Sequence, residues 1–221
     1  MAIFVDSSRY TDIQKYCDWG VCSGVTMNPK ILADEGAMTP DDMEKETRRI
    51  VLLVRGPVSV ELVSETTAQM LSEARQYHSW EPDHIVIKVP MSAVGMPVIS
   101  ALAREGVRTN VTCMMNFNQA YLAALAGAAY VSLFLGRIKD MGYDPLPVVS
   151  AVREILDREG LPARIIAGSI RHPQDIADAL RAGAHIVTAT PAILEKSIQN
   201  PQTDRTIDEF ARMWREFQSR R

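Results

Sequence analysis

His84-Ile85-Val86-Ile87-Lys88-Val89-Pro90 is the stretch on which the reading of the whole chain turns. An apolar, β-branched run of this length, closed by proline, has the composition of a buried strand. Lys88, near its C-terminal end, breaks the pattern. An ammonium is costly to desolvate and is almost never fully buried without a partner. A structural ion pair, or an amine reaching solvent past the strand end, would account for it. In a site that disfavours the charged form, the amine instead becomes a nucleophile toward carbonyls. The company it keeps has to decide between the two.

Working outward, short apolar runs alternate with helical patterns. The runs predict strands over residues 3–6, 24–26, 58–62, 84–89, 107–111, 129–134, 164–168 and 185–188. Between them, apolar residues recur at helical spacing over 10–19, from 29, from 66, and over 93–104, 117–126, 146–158 and 173–182. Another helix is expected to start at Thr39-Pro40-Asp41-Asp42, an N-cap, a proline at N1 and an acidic first turn. It would bury Met43, Ile50, Val51 and Val54 and turn Glu44-Lys45-Glu46 and Arg48-Arg49 to solvent. Eight such units predict an α/β fold, a closed parallel (β/α)8 TIM barrel. An open doubly wound sheet would carry a glycine-rich G-x-G-x-x-G after its first strand, and none is there. With no linker or low-complexity tract, residues 1–221 read as one domain. A further helix over about 203–218 presents Ile207, Phe210, Ala211, Trp214 and Phe217 as one stripe. Packing on its own barrel is the default, and a partner subunit the second option, since the helical ring should already be complete.

Composition narrows the function. A net charge of −3 and a pI near 5.8 argue against a nucleic-acid or membrane surface. Cys17, Cys22 and Cys113 fit a reduced compartment, neither a disulfide framework nor a zinc site. Ile3-Phe4-Val5 meets Asp6 too soon for a signal peptide's apolar core. The expectation is a cytoplasmic protein with no metal and no cofactor.

In a barrel of this kind, chemistry gathers at the C-terminal strand ends, and residues two apart share a face. Asp6 ends the first strand, Thr26 and Asn28 the second, and Glu61 lies near the end of the third. Lys88 lies near the end of the fourth, and Asn110 and Thr112 end the fifth. Ser132 and Phe134 end the sixth with Arg137 just after, and Ser169 and Arg171 end the seventh. Singly, Asp6 could be a helix cap, Asn110 a turn residue and Ser169 a loop hydroxyl. Polar groups at seven strand ends favour a reactive Lys88 that adds to a ketose carbonyl. Glu61 could activate the water of imine formation and hydrolysis, Thr112 is grouped with the catalytic residues, and Asp6 could take the proton of the hydroxyl whose C–C bond breaks. Thr26, Asn28, Asn110, Ser132 and Phe134 would then line the polyhydroxy chain. Arg137, Ser169 and Arg171 have the composition of a phosphate site.

At these residues the chain resembles the transaldolase family, in its short single-barrel group alongside the fructose-6-phosphate aldolases. The resemblance rests on Phe4-Val5-Asp6-Ser7, Gly24-Val25-Thr26-Met27-Asn28-Pro29, Ile87-Lys88-Val89-Pro90, Thr109-Asn110-Val111-Thr112 and the block from Ala126-Gly127-Ala128 to Arg137. It implies a barrel of the class I aldolase type and a Schiff-base lysine at Lys88. It also implies an acid/base pair at Asp6 and Glu61, and phosphate ligands at Arg137, Ser169 and Arg171. The transferase branch looks like Glu61 with Phe134, where the aldolase branch usually carries glutamine and tyrosine. The reaction implied moves a dihydroxyacetone unit from sedoheptulose 7-phosphate or fructose 6-phosphate to an aldose phosphate, a step of pentose phosphate carbohydrate metabolism. The family also suggests a homo-oligomer, a pentamer or decamer, assembled through the C-terminal helix. The usual Thr-Thr-Asn-Pro-Ser is here Thr26-Met27-Asn28-Pro29-Lys30. Lys30 turned outward is a solvated helix residue; turned inward it would suit an unusual anionic group, such as a sulfonated sugar. The alternatives are an aldolase, a variant-sugar transaldolase, and a sugar-phosphate-binding barrel without turnover.

Overall fold

The computed structural model describes residues 2–36, 38, 39 and 41–220. Eight parallel strands close into a barrel in sequence order. They are β1 (Ala2–Asp6), β2 (Cys22–Thr26), β3 (Val58–Glu61), β4 (Ile85–Pro90), β5 (Thr109–Met114), β6 (Tyr130–Phe134), β7 (Arg164–Gly168) and β8 (Ile186–Ala189). The helices are α1 (Tyr10–Asp18), α2 (Pro29–Glu35), α3 (Met43–Val54), α4 (Thr67–Trp80), α5 (Gly95–Arg104) and α6 (Phe117–Leu125). They continue with α7 (Leu135–Asp140), α8 (Leu146–Glu159), α9 (Pro173–Arg181), α10 (Pro191–Ile198) and α11 (Pro201–Gln218). This is the (β/α)8 barrel with a C-terminal helix that the alternation predicts.

Strand alternation sorts the apolar residues into two cores. Val5, Val25, Ile87, Val89, Val111, Val131, Leu133, Ile165 and Val187 point outward and pack under the helices. Their inward neighbours Phe4, Val86, Tyr130, Ile166 and Ile186 form a separate cluster that plugs the barrel floor. Gly24 makes room for that plug, since a Cβ there would fall 2.6 Å from the Phe4 ring. Two residues further along the strands the inward positions turn polar, as Asp6, Lys88, Ser132 and Thr188. The period of two that fills the floor thus delivers the polar residues to the mouth.

Boundaries differ from expectation in places. The helix expected at Thr39 begins at Met43. Thr39 and Asp42 instead close a turn on each other, Thr39 Oγ1 donating to Asp42 Oδ2 at 2.8 Å; Pro40 lies outside the described residues. Ile50 and Val51 are buried as expected, while Met43 and Val54 are half-buried. β5 runs two to three residues later than the 107–111 read from sequence, so Asn110 and Thr112 sit inside it. α7 and α10 were not expected. α11 begins at Pro201, because the Asn200 side chain accepts from the N–H groups of Gln202 and Thr203. The ring closes between its ends, with Lys15 of α1 2.5 Å from Glu195 of α10. No helix among the described residues is long and apolar enough to cross a membrane.

Candidate active site

At the C-terminal mouth of the barrel lies a cavity of about 330 Å³. Lys88 stands in its wall, only 4% exposed, with its ammonium 2.9 Å from the carboxylate of Glu61, itself 10% exposed. Register explains the meeting, because Glu61 on β3 and Lys88 on β4 are direct partners. The ammonium also donates to the Met27 carbonyl at 3.1 Å. Two of its three N–H donors are thus satisfied. The ion pair considered from sequence exists, and its partner is the residue expected to work with Lys88.

Asp6 faces the same space from β1. Thr26 Oγ1 donates to its Oδ1 at 2.6 Å, and Thr188 Oγ1 lies 2.6 Å from Thr26 Oγ1. Burial pushes the Asp6 carboxyl above the usual aspartate range, with Glu35 and Glu61 adding to it and Lys88 and Thr26 opposing. Ser132 donates to Asn110 Oδ1 at 2.7 Å, and Asn110 Nδ2 donates to Ser59 Oγ at 3.2 Å. With its proton committed, Ser132 offers lone pairs to the cavity. Asn110 is fully buried and reaches the cavity only through Ser132. The Thr112 hydroxyl is buried without a protein partner among the described residues. Beyond it the pairing of β5 with β6 shifts register, and Cys113 takes a φ of 60°. That bulge turns Cys113 toward the cavity. Burial, with Glu61 nearby, pushes its thiol above the usual range.

The rim is cationic on two sides. Arg137 and Ser169 line the cavity, and Arg171 lines an outer shelf that shares Asp6, Asn28, Lys30, Arg137, Ser169 and Thr188 with it. Arg171 grips Asp140 with both terminal nitrogens, which holds that carboxyl below the usual range. Arg137 approaches the same carboxylate at 3.8 Å. Ser169 has a φ of 55°, a conformation rare for a side chain with a Cβ. Opposite them, Asn28 caps α2 by accepting from the Ile31 N–H at 2.9 Å. Lys30 borders both spaces but is largely exposed and ion-paired with Asp34. Phe134 fills the wall two residues beyond Ser132.

Of the residues singled out from sequence, Asp6, Thr26, Asn28, Glu61, Lys88, Ser132, Phe134, Arg137 and Ser169 converge on one cavity. Arg171 stands just outside, and Asn110 and Thr112 lie beneath the surface. Thr188 and Cys113 were not foreseen. Thr188 had a readable signal, as the strand-end residue of the eighth unit; Cys113 had none, since only the β5 bulge turns it inward. Among the described residues no group of histidine, cysteine and acidic side chains could hold a metal.

Comparison with known proteins finds a family match over nearly the whole chain. A family model described as Transaldolase/Fructose-6-phosphate aldolase matches residues 3–220. A probable transaldolase of Alkaliphilus metalliredigens is 41% identical over 214 residues, covering 97% of this chain and 98% of that protein. Another, of Symbiobacterium thermophilum, is 41% identical over 214 residues and covers 97% of each chain. A third, of Desulforudis audaxviator, is 41% identical over 220 residues, 100% of each chain.

Proposed function

The chain belongs to the transaldolase/fructose-6-phosphate aldolase family, and from that premise we propose that it transfers a dihydroxyacetone unit between sugar phosphates through an imine at Lys88. The observation that carries this reading is the buried contact of 2.9 Å between Lys88 and Glu61. Along it the ammonium can pass a proton to the carboxylate, leaving a neutral amine to add to the C2 carbonyl of a ketose phosphate. Glu61, now protonated, gives that proton to the carbinolamine hydroxyl, which leaves as water. Asp6 takes the proton of the C4 hydroxyl as the C3–C4 bond breaks, and the bonding pair moves into the iminium to give an enamine. The aldose phosphate departs. An acceptor aldose phosphate enters, the enamine carbon attacks its aldehyde, and Asp6 returns the proton to the new alkoxide. Water activated by Glu61 then hydrolyses the imine. The unpaired hydroxyl of Thr112 is the group we assign to help position that water.

Ser132 and Asn28 would take the hydroxyls of the sugar chain, with Thr26 acting through Asp6 and Asn110 through Ser132. Arg137, Ser169 and Arg171 would hold the phosphate, Arg171 exchanging Asp140 for it. The donor would be fructose 6-phosphate or sedoheptulose 7-phosphate. Phe134 favours transfer over the aldolase alternative, because it brings no hydroxyl to protonate the enamine. Lys30 borders the cavity at its exposed rim, paired with Asp34, and does not by itself favour a sulfonated over a phosphorylated substrate. The protein would work in the cytoplasm as a homo-oligomer joined through α11.

The test is reduction with borohydride in the presence of fructose 6-phosphate. We expect a reduced sugar mass on the peptide that contains Lys88. Labelling at another lysine, or none, would overturn the reading, and none would leave a binding barrel without turnover.

A further inference from the structure

We propose that Thr188 is a positioning residue at the head of a buried hydroxyl chain, Thr188 to Thr26 to Asp6, whose donation polarises the Thr26 hydroxyl, strengthens its bond to Asp6 Oδ1 and so favours Oδ2 as the oxygen that handles the proton. Thr26 is 1% exposed and Thr188 6%. The Thr26 oxygen lies 2.6 Å from Asp6 Oδ1 and 2.6 Å from the Thr188 oxygen. A threonine hydroxyl has one proton to give and two lone pairs with which to accept. While Asp6 is a carboxylate it can only accept, so the Thr26 proton must point at Oδ1. The remaining contact then has a single solution: Thr188 donates to Thr26.

Two consequences follow for the reaction proposed above, on whose use of Asp6 this inference rests. Oδ1 already accepts the Thr26 proton, so Oδ2 is the more basic oxygen and the one that receives the proton released by the substrate hydroxyl. No bond forms or breaks at either threonine, and the same arrangement persists when the proton is returned. Thr188 also borders both the cavity and the outer shelf. Its own proton being committed, it presents only lone pairs there, suited to a substrate hydroxyl and not to a phosphate oxygen.

The groups that face Asp6 besides the threonines are Lys88, Glu61 and Glu35, and Lys30 and Arg137 share its cavity. None of them is touched by the substitutions that isolate the chain. The experiment is a substrate-free ¹³C NMR titration of protein labelled at its aspartate carboxyls, the Asp6 signal being the one lost in Asp6→Asn. Removing a hydrogen bond to a charged group in Thr26→Val should raise the Asp6 midpoint by about one unit. Thr188→Val should raise it by about half as much, through loss of the polarising second bond. Thr188→Ser should leave it at the wild-type value, and Thr188→Val should add nothing once Thr26 is valine. If Thr188→Val loses its fold, Thr188→Ala is read in its place. No shift in the Thr188 variant, or the same shift with and without Thr26, would overturn the proposal. Because no sugar is present, a positive titration in a protein that forms no imine would sink the proposed function and leave the positioning role standing. In an active enzyme the acid limb of kcat should move with the titration.

Discussion

Asp6 sits where its own charge is disfavoured. Burial outweighs the help of Lys88 and Thr26 and holds the carboxyl above its unfolded value of 3.8. An acid of this kind favours the fold only while it carries its proton. Its contribution is complete below the unfolded value and is lost as pH rises through the folded one. Asp6→Asn, neutral at every pH, should therefore melt higher than wild type at neutral pH, with the gain shrinking to nothing in acid. Calorimetry across pH checks this; a variant that melted lower at neutral pH, with the deficit vanishing in acid, would mean that pairing with Lys88 outweighs burial. The same variant should lose ~10²–10⁴ in the C–C cleavage rate, the usual worth of a positioned acid or base. Phe134 poses a second question at this scale. After cleavage, transfer and release begin from one enamine, and the nearest proton donor decides between them. Ser132 has spent its proton on Asn110, and Phe134 has none. Phe134→Tyr should raise acceptor-free release of dihydroxyacetone from fructose 6-phosphate by about 10²-fold and lower transfer to erythrose 4-phosphate. An unchanged ratio of release to transfer would make Phe134 a packing residue.

The phosphate end is set by how two strand–helix junctions fit together. α7 starts directly after β6, and its Gly136 N–H donates to the Ser169 carbonyl at 3.0 Å. A Cβ on Gly136 would fall 2.4 Å from that carbonyl and 2.7 Å from both Ser169 Oγ and Arg171 Nε. Glycine is therefore what lets the β7 loop, with Ser169 at its rare positive φ, close onto the start of α7. Overpacking of this kind costs about 1–3 kcal/mol. Gly136→Ala should lower the melting temperature and raise KM for a phosphorylated donor much more than for its unphosphorylated analogue. Equal effects on both donors would mean that this junction does not hold phosphate. β7 itself could be read to the residue, because a continuous apolar run ends at a glycine. β5 could not. Its C-terminal half, Thr112-Cys113-Met114, carries a bulge that only the register with β6 makes visible. α10, for which the sequence reading carried no expectation, begins at Pro191 in the first helical position, where proline is tolerated. The convergence of the strand-end residues on one cavity does not depend on these boundaries, because polar residues at strand ends mark a face, and a face is insensitive to where a helix begins.

At the scale of the molecule, α11 stands apart among the described elements as a long helix with no buried face. It spans 18 residues and none is buried. Ile207, Phe210, Met213, Trp214 and Phe217 are 54–64% exposed, and Trp214 stacks on Phe217. A monomer rarely leaves a contiguous stripe of this kind in water. Its own barrel offers no slot. α10 already packs beside α9 and is tied to α1 by the Lys15–Glu195 pair and by Tyr16 donating to the Pro191 carbonyl at 2.8 Å. We infer that a second copy of this chain supplies the cover, since it brings an identical stripe and needs no other protein. The five side chains are a little over half exposed, so burying the exposed part gains at most about 1.5–3 kcal/mol each, a sum on the scale of the roughly 4–15 kcal/mol cost of association. A chain ending at Asn200 should therefore lose mass by light scattering, and so should full-length Phe210→Glu with Trp214→Glu, which keeps the helix but charges its stripe. Both variants should keep the Lys88 imine with fructose 6-phosphate at high protein concentration, since no residue of α11 reaches the cavity. If the charged variant keeps the wild-type mass and only melts lower, the stripe folds back onto its own barrel and the second copy is not its partner.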